Sequence, residues 1–148
     1  MQNILVAIDF GDTTDRLMQV ATTHAQQFGA KLWLVHVAAP DPDFVGYEAG
    51  PQAEREFRAL TLRKEHRDLQ RLAQRFAGDG LSTEALLVQG PTTRTLMQQA
   101  KKLEADLIVI GSHGHGRLYD AVVGSVCAEM IHQSTIPLLV VPVWEGKR

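Results

Sequence analysis

Five short apolar runs rich in Val, Ile and Leu punctuate the chain, at residues 4–8, 31–37, 83–88, 106–110 and 136–141. Their length and the turn residues that bound them predict β-strands, and their unbroken apolar character predicts strands covered on both faces. Between them the apolar positions recur at helical spacing, with Leu17, Val20, Ala21, His24 and Phe28 on one stripe and Leu69, Leu72, Ala73 and Phe76 on another. Boundary signals agree with this reading. Asp12 and Thr13 are placed to cap the first helix and Gly29 to end it; Gly90-Pro91 puts a proline at a first helical turn; Gly124-Ser125 opens the last helix. Strand alternating with helix predicts an α/β fold: one doubly wound sheet of five parallel strands with helices on both faces, a single domain over residues 1–148. One connection is out of scale. Residues 38–51 carry Pro40, Pro42, Gly46, Gly50 and Pro51 beside Phe44 and Tyr47, ahead of a long charged helix over about 52–76. A connection of that length is either a linker or a lid over a ligand, and both readings stay open.

Composition narrows the partners. With 148 residues and 45% hydrophobic side chains the chain can bury one sizeable core. Fifteen Lys and Arg against seventeen Asp and Glu leave a net charge of −2 with no long basic block, which argues against a nucleic-acid partner. The single cysteine, Cys127, excludes an internal disulfide and any Cys-x-x-Cys zinc or redox site, so a reducing, cytoplasmic location is expected. The N-terminus enters its first apolar run without a basic leader or a small-residue cleavage site, and the run 136–143 is short and broken by Pro137 and Pro142. Neither export nor a membrane partner is expected.

The densest chemical signal is Gly111-Ser112-His113-Gly114-His115-Gly116-Arg117, directly after the fourth apolar run. Glycines here supply positive φ or room for a ligand, and the carboxyl edge of a parallel sheet is where open α/β folds bind one. Two phosphate motifs fail. Gly111 and Gly116 have P-loop spacing, but Arg117-Leu118 stands where Lys followed by Ser or Thr is required; the turn after the first strand, Asp9-Phe10-Gly11-Asp12, lacks the dinucleotide glycines. A third arrangement succeeds: Gly111-x-x-Gly114, nine residues, then Gly124-Ser125 at a helix start. Backbone N–H groups at Gly124, Ser125 and Val126, the helix dipole and the Ser125 hydroxyl can cradle phosphate without a lysine.

That pattern, continued by Val126-Cys127-Ala128-Glu129 and by Ile136-Pro137-Leu138-Leu139-Val140-Val141-Pro142, resembles the nucleotide-binding branch of the universal stress protein family. The likeness extends to Ile4-Leu5-Val6-Ala7-Ile8-Asp9, Leu34-Val35-His36-Val37 and Ala105 to Gly111, and so spans the chain. It implies a Rossmann-like sheet in the order 3-2-1-4-5, bound ATP or another adenine nucleotide, and a homodimer built around the last strand. By the same resemblance Asp9 would meet the ribose or the adenine edge, and Ala7 and Val37 would flank the base. Ile110, Gly111, His113 and Gly114 would line ribose and phosphates, and Gly124, Ser125 and Val126 would hold the terminal phosphates. The chain departs from the family pattern at Phe10-Gly11, where many relatives carry a small polar pair. Asp9 has a second reading, as a cap of the first helix.

His113 and His115 are too few for a closed zinc site; the resemblance implies instead that His113 donates to a phosphate and leaves His115 as a solvated loop residue. Magnesium would accompany ATP through its phosphates, with no protein carboxylate firmly placed to hold it. The strand from Leu138 to Val143 would expose an apolar edge that either its prolines blunt or a twin strand covers across a two-fold axis, and the dimer is the expected solution. A regulatory nucleotide-binding protein of the stress response, acting on a protein partner not identifiable from sequence, is the leading expectation, because no catalytic base is evident. The alternatives are a slow ATP hydrolase, for which Arg117, His113 and His115 are the candidate groups, and a protein-interaction dimer that binds no nucleotide.

Overall fold

The order of elements is strand, helix, strand throughout. In a computed structural model that describes residues 1–38, 52–78, 80–112 and 123–142, these are β1 (Asn3–Ala7), α1 (Thr14–Phe28), β2 (Lys31–Ala38), α2 (Gln52–Phe76), β3 (Thr83–Gln89), α3 (Thr92–Lys102), β4 (Leu107–Gly111), α4 (Ser125–Gln133) and β5 (Leu138–Val141). All four strand pairings are parallel and order the sheet β3-β2-β1-β4-β5, so the expected class and strand order are borne out.

Side-chain alternation along the strands explains why both faces are covered. Ile4, Val6 and Ile8 of β1 and its extension, Leu32 and Leu34 of β2, and Leu107 and Val109 of β4 form one core with Leu17, Met18, Ala21 and Ala25 of α1 and Leu69 and Ala73 of α2. The intervening residues Leu5, Val35, Ile108 and Ile110 pack on the other face with Leu96 and Ala100 of α3 and Cys127 and Met130 of α4. α1 and α2 therefore cover one face and α3 and α4 the other.

Several local expectations shift. On α1 the buried set is Leu17, Met18, Ala21 and Ala25, whereas Phe28 is 55% exposed. The buried face is turned toward Met18 and Ala25, and the two alanines carry little bulk between helix and sheet. Thr13 is the N-cap of α1 but its side chain makes no capping bond; Thr14 Oγ1 donates to the Gly11 carbonyl instead, at 2.8 Å. Gly29 closes the helix in the left-handed region, φ 64°, as its position predicts. Pro91 is the N-cap of α3 and not its first helical residue. β5 starts at Leu138 and not Ile136, because Pro137 has no N–H for the ladder and contributes only its carbonyl, which accepts from Ile108 at 3.0 Å.

The amino end of the sheet is tied across the chain. Asp106, just before β4, accepts from the backbone N–H groups of Asn3 at 3.0 Å and Gln2 at 2.6 Å. Those two bonds hold its carboxyl below the usual aspartate range. The opposite, carboxyl end carries the turns that leave β1 and β4.

Candidate functional site

The crevice follows from the strand order. β1 is flanked by β2 on one side and β4 on the other. The helix leaving β1 packs on one face and the helix leaving β4 on the other, so the connections part above the β1–β4 seam and leave a groove at the strand ends.

Two hydrogen bonds fix the far wall. Ser112, 7% exposed, donates its N–H to the Val141 carbonyl at 2.9 Å and accepts the Gly124 N–H at 2.6 Å. They tie the start of α4 to the ends of β4 and β5. Gly124 has φ −69° and ψ 161°, an extended conformation open to any residue, so a glycine is not needed there for the backbone. Its N–H is occupied by Ser112, so the free donors lie one residue further on than the sequence suggests. The first intrahelical bond runs from Ala128 N–H to the Gly124 carbonyl at 3.0 Å, which leaves the N–H groups of Ser125, Val126 and Cys127 without a helical acceptor. No side chain caps α4 and no acidic residue stands in its first turn. Among the described residues nothing answers the positive end of its dipole, which lies beside the exposed Ser125.

The near wall is a tight turn. Asp9 Oδ1 accepts the Gly11 N–H at 2.8 Å, and Phe10 between them sits at φ 60°. A Cβ on Gly11 would lie 3.1 Å from that same Oδ1, so the small residue lets the carboxylate close onto the turn. Asp9 therefore secures the end of β1 and does not cap α1, whose N-cap is Thr13. Its second oxygen has no partner among the described residues.

Alternation brings the apolar candidates onto one face. Ala7, Val37 and Val126 pack against the same cluster that holds Ile110, and Gly111 ends β4 in register with Val141. The candidates His113 and Gly114, with His115, Arg117, the 39–51 connection and residues 143–148, lie outside the described residues. Among the described residues no three acidic, histidine or cysteine side chains converge as metal ligands, and no helix is long and apolar enough to cross a membrane. A cavity of about 360 Å³ lies behind the Asp9 turn, bounded by Phe10, Gly11 and Thr14 and by Asp68, Arg71, Leu72 and Arg75 of α2.

His36 is the residue that sequence reasoning passed over. It follows Leu32 and Leu34 on the α1/α2 face, and its Nδ1 lies 2.7 Å from the Ile8 carbonyl. Its alternation along β2 marks it as inward-facing, but its partners come from β1 and α2, and nothing local in the sequence announces them.

Comparison with known proteins agrees with this architecture. The model of the universal stress protein family matches residues 1–142. The chain is 33% identical over 141 residues to the universal stress protein in the QAH/OAS sulfhydrylase 3′ region of Thermus aquaticus, covering 95% of this chain and 98% of that one. Its fold superimposes on hypothetical protein MJ0577 with a TM-score of 0.85, at 21% identity and 98% coverage of both chains. Similar folds include a universal stress protein in complex with cAMP, with TM-score 0.69, 23% identity and coverages of 95% and 96%. The Archaeoglobus fulgidus universal stress protein in complex with dAMP has TM-score 0.67, 21% identity and coverages of 95% and 97%. With the match over nearly its whole length and a close relative in sequence, the chain belongs to the universal stress protein family.

Proposed function

We propose that the β1–β4 crevice binds an adenine nucleotide, with ATP as the ligand the phosphate cradle suits best, and that the protein acts as a nucleotide-responsive regulator in the stress response. The observation that carries this reading is the uncapped start of α4. Three backbone donors without a partner among the described residues, at Ser125, Val126 and Cys127, and the positive end of a helix dipole stand at the carboxyl edge of the sheet. Facing them across the switch point is Asp9, with one carboxylate oxygen free to accept from a ribose hydroxyl or an adenine amine. Ala7, Val37 and Ile110 offer the apolar surface for a base, and Gly111, Gly124, Ser125 and Val126 the approach for phosphates; His113 and Gly114 complete the lining by their place in the motif. The cAMP and dAMP complexes of proteins with this fold support the adenine part of the proposal. Magnesium, where ATP carries it, would be held through the phosphates.

Ligand released by denaturing freshly purified, undialysed protein is expected to contain adenine nucleotide, and calorimetric titration of the stripped protein with ATP, ADP, AMP and dAMP is expected to show saturable heat. No nucleotide recovered and no heat from any of the four would leave the protein-interaction reading standing. We also propose a homodimer through the exposed edge of β5, since Leu138, Leu139 and Val140 are only half-buried in one chain. Light scattering at micromolar concentration should give twice the chain mass, and the chain mass alone would refute the pairing.

A further inference from the structure

The side chain of His36 is 13% exposed, on the sheet face where β2 otherwise carries leucines. A carbonyl oxygen only accepts, so the 2.7 Å contact with Ile8 requires a proton on Nδ1. Nε2 is then a bare lone pair in the neutral ring and a donor only in the imidazolium. Facing it at 3.3 Å is Glu65 Oε2 of α2. That oxygen is out of solvent and makes no directed hydrogen bond among the described residues, and the ion-pair partner it has among them is Nε2. A neutral ring sets lone pair against carboxylate; a protonated ring sets opposite charges together. The Phe10 ring covers His36 with its centroid 4.8 Å away at 57°.

The charged groups on the surrounding elements do not replace Glu65. Asp9 at the end of β1 is held by the Gly11 N–H, Glu84 of β3 pairs with Lys31, and Asp15 of α1 pairs with Arg75. Asp68 and Arg71 of α2 line the cavity behind Phe10. We infer that His36 is a positioning residue for the end of β1, and that a proton held between its Nε2 and Glu65 latches α2 onto the Ile8–Phe10 turn behind the crevice.

The sign follows from the tautomer. The latched form needs the second ring proton, so its stabilisation is present where the imidazole is charged and is lost where Nε2 is bare. Release would free α2 from the strand end that presents Asp9. The link to ligand affinity rests on the nucleotide reading above; the latch itself does not.

The test is a double-mutant cycle in urea unfolding with His36→Asn, whose amide can still donate to Ile8, and Glu65→Gln, run at pH 6 and pH 8.5. A coupling of about fivefold in the unfolding constant is expected at pH 6, vanishing at pH 8.5. Glu65→Gln alone should remove the pH dependence, because a carboxamide accepts from a protonated Nε2 and donates to a neutral one. Amide exchange of α2 around residue 65, corrected for intrinsic rates, should accelerate at pH 8.5 in the wild type and not in this variant. Coupling that is absent at pH 6 or equal at both values overturns the latch, as does wild-type pH dependence in Glu65→Gln. In a second arm dAMP affinity should fall with pH in the wild type and stay flat in Glu65→Gln; identical profiles refute transmission to the crevice. Absence of dAMP binding at either pH would count against the nucleotide reading and leave the unfolding cycle to decide the latch.

Discussion

Gly124→Val is expected to lower adenine-nucleotide affinity at least about 100-fold while leaving the protein folded. The N-cap position explains both halves. A side chain at an N-cap stands over the N–H groups of the second and third helical residues, which is why Ser or Asp there can bond to them. In α4 those donors belong to Val126 and Cys127, and the extended backbone at Gly124 accommodates valine without strain. Valine would put methyl groups where the proposed anion would sit. Losing two charge-assisted hydrogen bonds, each worth about 1.5 to 3 kcal/mol, accounts for two decades or more in affinity. The fold should lose only about 1 kcal/mol for the poorer cap residue, a few degrees in melting temperature at this chain length. Calorimetry with ATP and dAMP, alongside a thermal melt by circular dichroism, checks both. A folded variant with wild-type affinity would remove the start of α4 from the binding site.

The elements are legible in the sequence because their signals are local. Unbroken apolar runs locate the five strands to within one or two residues, and the long second helix falls on residues 52–76 as its charge pattern suggests. Periodicity counts the strands but does not order them; the order came from the family resemblance, and the parallel pairings agree with it. Where the reading slipped, tertiary packing had the deciding role. Phe28 lies on a fair helical stripe with Leu17 and Ala21, yet Met18 and Ala25 hold the buried face of α1.

The crevice divides in the same way. Asp9 and Gly111 lie at ends of neighbouring strands, so their nearness follows once the strand order is given. Which backbone donors remain free at α4 depends on the bond from Gly124 to Ser112, residues twelve positions apart whose meeting the sequence alone does not specify. His36 and Glu65, 29 positions apart, meet across a helix-to-sheet contact, and neither residue type is unusual where it stands. Local chemistry is written locally, whereas hydrogen-bond occupancy and ion pairing belong to the folded contacts.

Gly90→Ala is expected to be the most destabilising single-methyl substitution on the rim of the site, costing about 2 to 5 kcal/mol out of a typical total of 5 to 15. Gly90 joins β3 to α3 at φ 149°, where L-residues are rarely found. A Cβ there would also run into Thr95 Oγ1. Thr95 has little room to withdraw: it is 4% exposed, and its backbone is tied to the first turn of α3 by a 2.9 Å bond to the Pro91 carbonyl. The two penalties separate experimentally. Thr95→Ala removes the hydroxyl, so the double variant should be more stable than the sum of the single effects predicts, and what destabilisation remains measures the backbone conformation. Urea unfolding of the four proteins gives both quantities. A cost below about 1 kcal/mol for Gly90→Ala would mean that the turn relaxes freely. The consequence reaches the crevice, because the Gly90 N–H donates to the Ala38 carbonyl at 3.3 Å and so anchors the strand end that carries Val37.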